Sequence, residues 1–387
     1  MDVIEDGEEE ELEIIVDDDR TVDFFGLKHD AIWEVSDAYV LKAGVDVRWL
    51  NAKYRYSNLH VEDPAAGVST RLDPDGTSLG IYAAHRARLT QELAVELGAR
   101  WDRQTYTNDN QLSPRFNAVW RPGARTELRV ALGRFTQSQR IHELHVEDGE
   151  TEFGRAEAAE QAELSFQQGL RGGMRVRLDA YYRKLTKLRP RYENLFEPIE
   201  IFPETSTDRV TIEPERARLQ GVELLVRADV NQPLFWWFSY ALSSADDVVK
   251  GKDVPRSWDQ THAGKFLIGY RRDERWSVSL SGSVHSGWPT TPVIGQPDGS
   301  DVPWIPDDRN TDHFSSYARL DFKARRSFTL PRGRIWLTLE VVNLTDRDNA
   351  CCIDEIEVEQ DDDSVVATRT FEHWLGIAPS FSVLWEF

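Results

Sequence analysis

The feature that most constrains this chain is a strict alternation of apolar and polar side chains over long stretches. Leu41, Ala43, Val45, Val47 and Trp49 alternate with Lys42, Gly44, Asp46 and Arg48. Leu93, Val95, Leu97, Ala99 and Trp101 alternate with Glu92, Glu96, Arg100 and Asp102. The pattern returns at Met174–Arg183, Trp276–Val284 and Arg319–Arg325. Successive side chains of a strand point to opposite faces, so each stretch reads as a β-strand with one apolar and one polar face. A soluble sandwich alternates too. Its strands, however, usually run roughly five or six residues, whereas strands that cross a bilayer need about ten. The stretches here are of the longer kind, their polar face is densely charged, and their aromatic residues gather towards strand ends. That combination describes an all-β antiparallel transmembrane barrel.

Composition agrees. The mean hydropathy is −0.52 and no run of apolar residues is long enough for a membrane helix. A barrel tolerates this average because only every second strand residue meets lipid. The chain holds 13 Trp, 11 Tyr and 17 Phe but only 2 Met and 2 Cys, as expected where aromatic girdles mark the edges of the hydrocarbon. The net charge is −21, from 67 acidic against 46 basic residues, which argues against nucleic acid as a partner.

Fifteen strands are expected, near residues 20–35, 38–52, 78–88, 91–103, 111–121, 124–136, 160–171, 173–188, 214–229, 233–244, 259–272, 274–287, 314–328, 331–345 and 374–387. Short connections carry turn residues, as at Arg121-Pro122-Gly123, Gly172-Gly173, Asn231-Gln232-Pro233 and Pro331-Arg332-Gly333. They alternate with long connections near 53–77, 103–112, 136–159, 188–214, 244–260, 287–312 and 345–372. Short turns at one rim and long loops at the other is the layout of outer-membrane barrels. Single-chain bacterial barrels have an even number of strands, so fifteen implies a miscount of one or a partial barrel. Residues 1–19 read as the acidic remnant of an extracellular loop and 20–387 as the barrel domain. Met1 is followed by Asp2-Val3-Ile4-Glu5-Asp6 rather than a basic and then apolar leader. The reading therefore expects a chain lacking its true beginning.

Several segments resemble the carboxy-terminal part of TonB-dependent outer-membrane receptors. They are Leu112-Ser113-Pro114-Arg115-Phe116 leading into Val119-Trp120-Arg121-Pro122, Gly133-Arg134-Phe135-Thr136-Gln137-Ser138, Glu215 to Glu223, Val342-Asn343-Leu344-Thr345-Asp346-Arg347 and the final Phe387. The resemblance implies a barrel of about 22 strands with a plugged lumen, of which fifteen would be the last two-thirds. It implies a cell outer-membrane location in a Gram-negative bacterium, with long loops extracellular and short turns and the C-terminus periplasmic. It also implies a receptor for active uptake of a scarce nutrient, such as an iron chelate, cobalamin or a saccharide. Its partners would be outer-membrane lipid, the barrel-assembly machinery, a small nutrient ligand and, in an intact receptor with its plug, a TonB-type energy-transducing protein. Against that pattern, this sequence is expected to lack the plug, the TonB box and the early strands.

Candidate residues follow. Phe381, Val383, Trp385 and Phe387 alternate along the last strand, which must pair to remove a sheet edge; the resemblance makes them the assembly signal. Arg175, Arg177, Arg319 and Lys323 are expected to face the lumen. Phe235 and Trp237 share that face, opposite Trp236, Phe238 and Tyr240 in a girdle. Cys351 and Cys352 are adjacent, with Cα atoms closer than ordinary disulfides prefer. A strained vicinal disulfide fits an oxidising compartment, and the resemblance supports it, since such pairs occur in this loop of some members. Metal ligation by two thiolates alone is weak.

His142-Glu143-Leu144-His145 has i,i+3 spacing, whereas the helical zinc motif needs i,i+4, so it reads as exposed loop. The acidic runs, eleven carboxylates in residues 1–19 and ten in 345–372, match no calcium-loop spacing and read as solvated loops. No metal or cofactor is expected. No nucleophile elbow, P-loop or supported Ser–His pair is present, and an enzyme is not expected. A passive porin-like or structural barrel and a nonfunctional receptor fragment remain as alternatives to active uptake.

Overall fold

The computed structural model describes residues 4–5, 8–9, 14–60, 67–196, 203–206, 208–228, 233–296, 304–361 and 364–387. Fifteen long strands follow one another as an antiparallel meander. They are β1 (Ile14–Ser36), β2 (Tyr39–His60), β3 (Asp75–Arg88), β4 (Leu93–Gln104), β5 (Asp109–Gly123), β6 (Thr126–Gln137), β7 (Glu157–Gly169) and β8 (Arg175–Thr186). Then come β9 (Arg216–Arg227), β10 (Leu234–Val249), β11 (His262–Asp273), β12 (Trp276–His285), β13 (Tyr317–Leu330), β14 (Gly333–Val342) and β15 (Ala378–Glu386). Short strands Ser69–Leu72 on β2 and Lys252–Pro255 on β10 bring the sheet to 17.

The strand order is that of a ring in which β15 comes round to β1. The run of ladders, however, is continuous only from β1 to β15. Across the seam no register of paired residues joins the two strands among the described residues. Phe24 and Trp33 of β1 and Phe381 and Trp385 of β15 are all more than half exposed there.

Each of the fifteen expected strands has its counterpart, but β2 runs on to His60 and β10 to Val249, into connections expected at 53–77 and 244–260, and two further bounds differ. The first strand begins at Ile14, so residues 14–19 belong to the sheet and not to a loop remnant. Their partners Arg55 to His60 continue the same ladder, which extends the strand through acidic sequence. The connection expected over 103–112 is a four-residue turn, Thr105–Asn108, closed by Asn108 in the left-handed region. Among the short connections, Gly172 and Gly173 both take positive φ, which the β7–β8 turn requires of them. Asn231 and Gln232 lie outside the described residues.

The registers sort the faces without exception at the named positions. Lys42, Asp46, Arg100, Ser113, Ala131, Glu163, Tyr181 and Gly221 follow one another across the ladders on one face. Ser277, Ser279, Ser281 and Ser283 continue it, opposite Arg325, Lys323, Asp321 and Arg319. The other face carries Leu97, Phe116, Leu132, Leu164, Leu178, Phe238, Leu280, Phe322, Leu339 and Phe381. Long loops from opposite sides meet over the polar face, which is therefore the lumen.

Charges on the lumen wall pair within single strands, two residues apart. Arg100 pairs with Asp102, Arg177 with Asp179 and Arg319 with Asp321 at 2.7, 2.8 and 2.8 Å. Exposed pairs of this kind contribute little to stability. Their effect is to cancel charge along the wall. Glycines opposite aromatic residues solve a different problem. Gly269 faces Phe235 and Gly282 faces Phe266, and each ring lies across the space a Cβ would fill.

Motifs singled out in the sequence become structural joints. Arg115 sits opposite Gly133 and its guanidinium stacks 4.8 Å from the Phe135 ring. Asn343, fully buried at positive φ, ties the end of β14 to the approach to β15. Its amide nitrogen donates to the carbonyls of Arg347 and Leu375, while its oxygen accepts from the Arg347 N–H. Asp346 accepts from the Ile377 N–H. Removing the Asn343 amide loses three hydrogen bonds, each worth about 0.5–1.5 kcal/mol. Asn343→Ala is therefore expected to lower the temperature at which the folded band of detergent-folded protein is lost on unheated gels. An unchanged transition would refute this role.

Candidate functional site

The alternation that defines β2 inverts near Asn51. Up to Trp49 the outer face is apolar. Beyond it Asn51, Lys53 and Arg55 take the outer face, and Ala52, Tyr54 and Tyr56 turn towards the lumen. All three of the latter are at least nine-tenths buried. What covers them is the connection between β6 and β7, residues 138–156, which folds inward as a strap. Ile141, Leu144 and Val146 of the strap pack on Ala52, Tyr54 and Tyr56 in one apolar cluster. The Tyr54 hydroxyl donates to the Ile141 carbonyl at 2.8 Å and accepts from the Leu144 N–H at 3.2 Å. Tyr106 donates to the Gln139 carbonyl, and the Ala156 N–H donates to Asp109.

Ionic contacts fasten the strap on both sides. Arg20 of β1 donates to Glu147 at 2.7 Å. Arg209, from the β8–β9 connection, grips Asp148 through two nitrogens at 2.6 Å. Burial pushes the Glu147 carboxyl up, but His145 and Arg20 outweigh it and hold it down at about 2. Reciprocally, the hydrogen bond to Glu147 raises the His145 imidazole above its ordinary value.

A second cluster joins the β8–β9, β10–β11 and β12–β13 connections. Asp247, fully buried, accepts from Arg191 and Arg256. Glu193 accepts from Ser257 and Arg309. Burial would raise the Glu193 carboxyl, yet Arg309 and Arg191 keep it below the ordinary carboxylate range. The Nε and Nη1 of Arg309 are buried without a hydrogen-bond partner among the described residues. Below this mouth, a cavity of about 820 Å³ lies against the wall of β5–β11. Glu163, Arg177, Asp179, Tyr181, Glu223 and Lys265 bring both signs of charge to it.

Residues 10–344 match the family model described as TonB dependent receptor-like, beta-barrel. The chain belongs to this family. Solved TonB-dependent receptors share its fold at low identity. The ferric yersiniabactin uptake receptor FyuA from Yersinia pestis superposes with a TM-score of 0.66 at 13% identity, over 97% of this chain and 56% of that one. The outer membrane transporter YddB from Escherichia coli gives 0.65 at 10%, over 94% and 54%. The ferripyoverdine receptor of Pseudomonas aeruginosa gives 0.64 at 13%, over 97% and 49%. The chain thus spans about half the length of these receptors. No curated protein matches it in sequence.

Within this receptor barrel the residues named from sequence fall as follows. Arg175 and Arg177 share one face of β8, and both line a small cavity with Arg227, the register partner of Arg175. Arg319 pairs with Asp321, and Lys323 with Glu340, on the opposite arc. Phe381, Val383 and Trp385 share the apolar face of β15, opposite Leu339, Leu337 and Ile335, and Phe387 follows, 97% exposed. Phe235 stacks under Arg271 on the lumen side. Cys351 and Cys352 are buried thiols, so the vicinal disulfide is not the state in this structure. His142 does not join His145 in a set of metal donors among the described residues; His145 lies with Glu147 and Asp148, whose carboxylates are already held by arginines. The sequence reading missed the strap. The inversion at Asn51 was its visible signal.

Two measurements check the strap. Tyr54→Phe removes both hydroxyl bonds, a loss of about 1–3 kcal/mol. Trypsin cleavage at Arg140 should accelerate roughly tenfold. The second is pH. The lowered Glu147 pKa stabilises the strap above its unfolded value of 4.5, and that contribution fades as pH falls towards about 2. The raised His145 pKa stabilises below its unfolded value of 6.5, and that contribution is lost as pH rises through the folded value. Hydrogen-exchange protection of residues 141–148, corrected for intrinsic rates, should peak between pH 4.5 and 6.5. A flat profile would sink the ionic latch.

Proposed function

We propose that this chain forms the wall and mouth of a receptor for active uptake of a small metal chelate across the outer membrane. One observation carries the reading: the long loops fold inward and fasten over a charged lumen, which suits selective capture rather than free diffusion. Neighbours of the same fold include the ferric yersiniabactin and ferripyoverdine receptors, the ferric citrate transporter FecA and the copper transporter OprC. They make a metal chelate the favoured substrate class. In this reading the long loops are extracellular and the short turns and Phe387 periplasmic. Phe381, Val383, Trp385 and Phe387 present the strand read by the assembly machinery. Arg175, Arg177, Arg319 and Lys323 face a plug, and a TonB-type partner acts only through that plug.

Detergent-folded protein titrated with ferric chelates of several chemical classes should show saturable quenching of Trp fluorescence for one class. Strap variants that free Tyr54 should weaken it. The hollow cavity and the unladdered seam favour one competing reading, a passive barrel. In a planar bilayer that barrel would show steady conductance and no saturable chelate binding, and this outcome would overturn the proposal.

A further inference from the structure

The connection between β14 and β15 holds a hairpin, Ala350–Asp361 paired with Ser364–His373. Consecutive residues of a regular strand point to opposite faces, so adjacent cysteines in one should be unable to share a ligand. This strand is not regular at Cys351. Ala350 pairs with His373 and Cys352 with Glu372, so two steps along one strand match one step along the other. Cys351 is the extra residue of a β-bulge, and Cys351 and Cys352 together oppose the single residue Glu372. Bulges re-aim side chains in this way. As a result both Sγ atoms and a Glu372 carboxylate oxygen lie within 4.8 Å of one another.

We propose that Cys351, Cys352 and Glu372 form a binding site for a single thiophilic metal ion of the Zn²⁺ or Cd²⁺ kind. Two sulfurs and one carboxylate oxygen are a donor set such ions accept, with a fourth position left for water. Donors on one tetrahedral ion stand roughly 3–4 Å apart, so small side-chain rotations close the set. The burial of the two cysteines limits competition from solvent, while Glu372 is exposed and gives an entry path. Segment 345–372 carries ten carboxylates against two basic residues, a field that concentrates cations at the hairpin. Neighbouring loops hold the site from outside. The Ile353 N–H reaches the Phe196 carbonyl, and Arg369 bonds the Thr291 carbonyl and Asp312. Binding would release the thiol protons and staple the bulge, and its affinity would fall with falling pH. The site stands apart from the uptake reading, because it needs neither a lumen nor a plug.

The test uses the full chain folded in detergent, reduced, freed of reductant without air and titrated with Cd²⁺. The expected result is a thiolate-to-metal charge-transfer band that saturates at one ion per chain. Cys351→Ser and Cys352→Ser should each abolish the saturating band. Glu372→Gln should weaken binding by about tenfold or more, within the range seen when a supporting group of a metal site is lost. The folded gel band of each variant separates loss of the site from loss of the fold. The proposal is overturned if the reduced wild type gives no band, or if Glu372→Gln binds as tightly as wild type. It is equally overturned if protein taken from membranes without reductant carries the pair two hydrogens lighter, as a disulfide, and binds no Cd²⁺ after reduction.

Discussion

A polypeptide in hydrocarbon must satisfy every backbone N–H and C=O from within, since no water is there to take them. The rest of this structure depends on that requirement. It makes each of the fifteen strands hydrogen-bond its sequence neighbour, and it forces side chains to alternate between lipid and lumen. The registers then carry the alternation round the sheet, so that one misplaced residue would turn a whole strand inside out. The glycines under Phe235 and Phe266 and the joint at Asn343 adjust this frame without breaking it. The seam between β15 and β1 is where the requirement goes unmet by any described ladder.

Beyond the hydrocarbon a different rule applies. Strands there can bury apolar side chains inward, because nothing outside rewards exposing them. Tyr54 and Tyr56 do this, and the strap supplies the surface they pack on. Arg20 and Arg209 reach the strap from opposite sides of the mouth, so one short 3-10 turn joins segments nearly two hundred residues apart in sequence. The mouth is thus built by long-range contacts, whereas the wall is built almost wholly by neighbours.

This division explains what the sequence could disclose. Alternation is local, so strands such as Leu93–Gln104 and Arg175–Thr186 were legible to within two or three residues. That Arg177 and Arg319 lie on the charged face of the sheet followed from the same period. The i,i+2 pairing of those arginines with Asp179 and Asp321 is written in the sequence as Arg-x-Asp, yet it acquires meaning only once both are known to face one way. The strap's own residues carried no such signal: Ile141 and Leu144 show no period, and their partners lie some ninety residues away, so only the inversion at Asn51 hinted at it. The bulge at Cys351 was hidden as well, because it depends on the partner strand's register, which adjacent residues do not reveal.

The self-paired wall has one more effect. Of the formal charge of −21, residues 1–19 contribute −11 and residues 345–372 contribute −8. The remaining majority of the chain is close to electroneutral. Beside the paired positions of the wall, charges of both signs stand within a few ångströms of each other and largely cancel at a distance. The long reach of this molecule's electrostatics therefore belongs to the two acidic segments, and it is there that added salt should weaken the attraction of cations most.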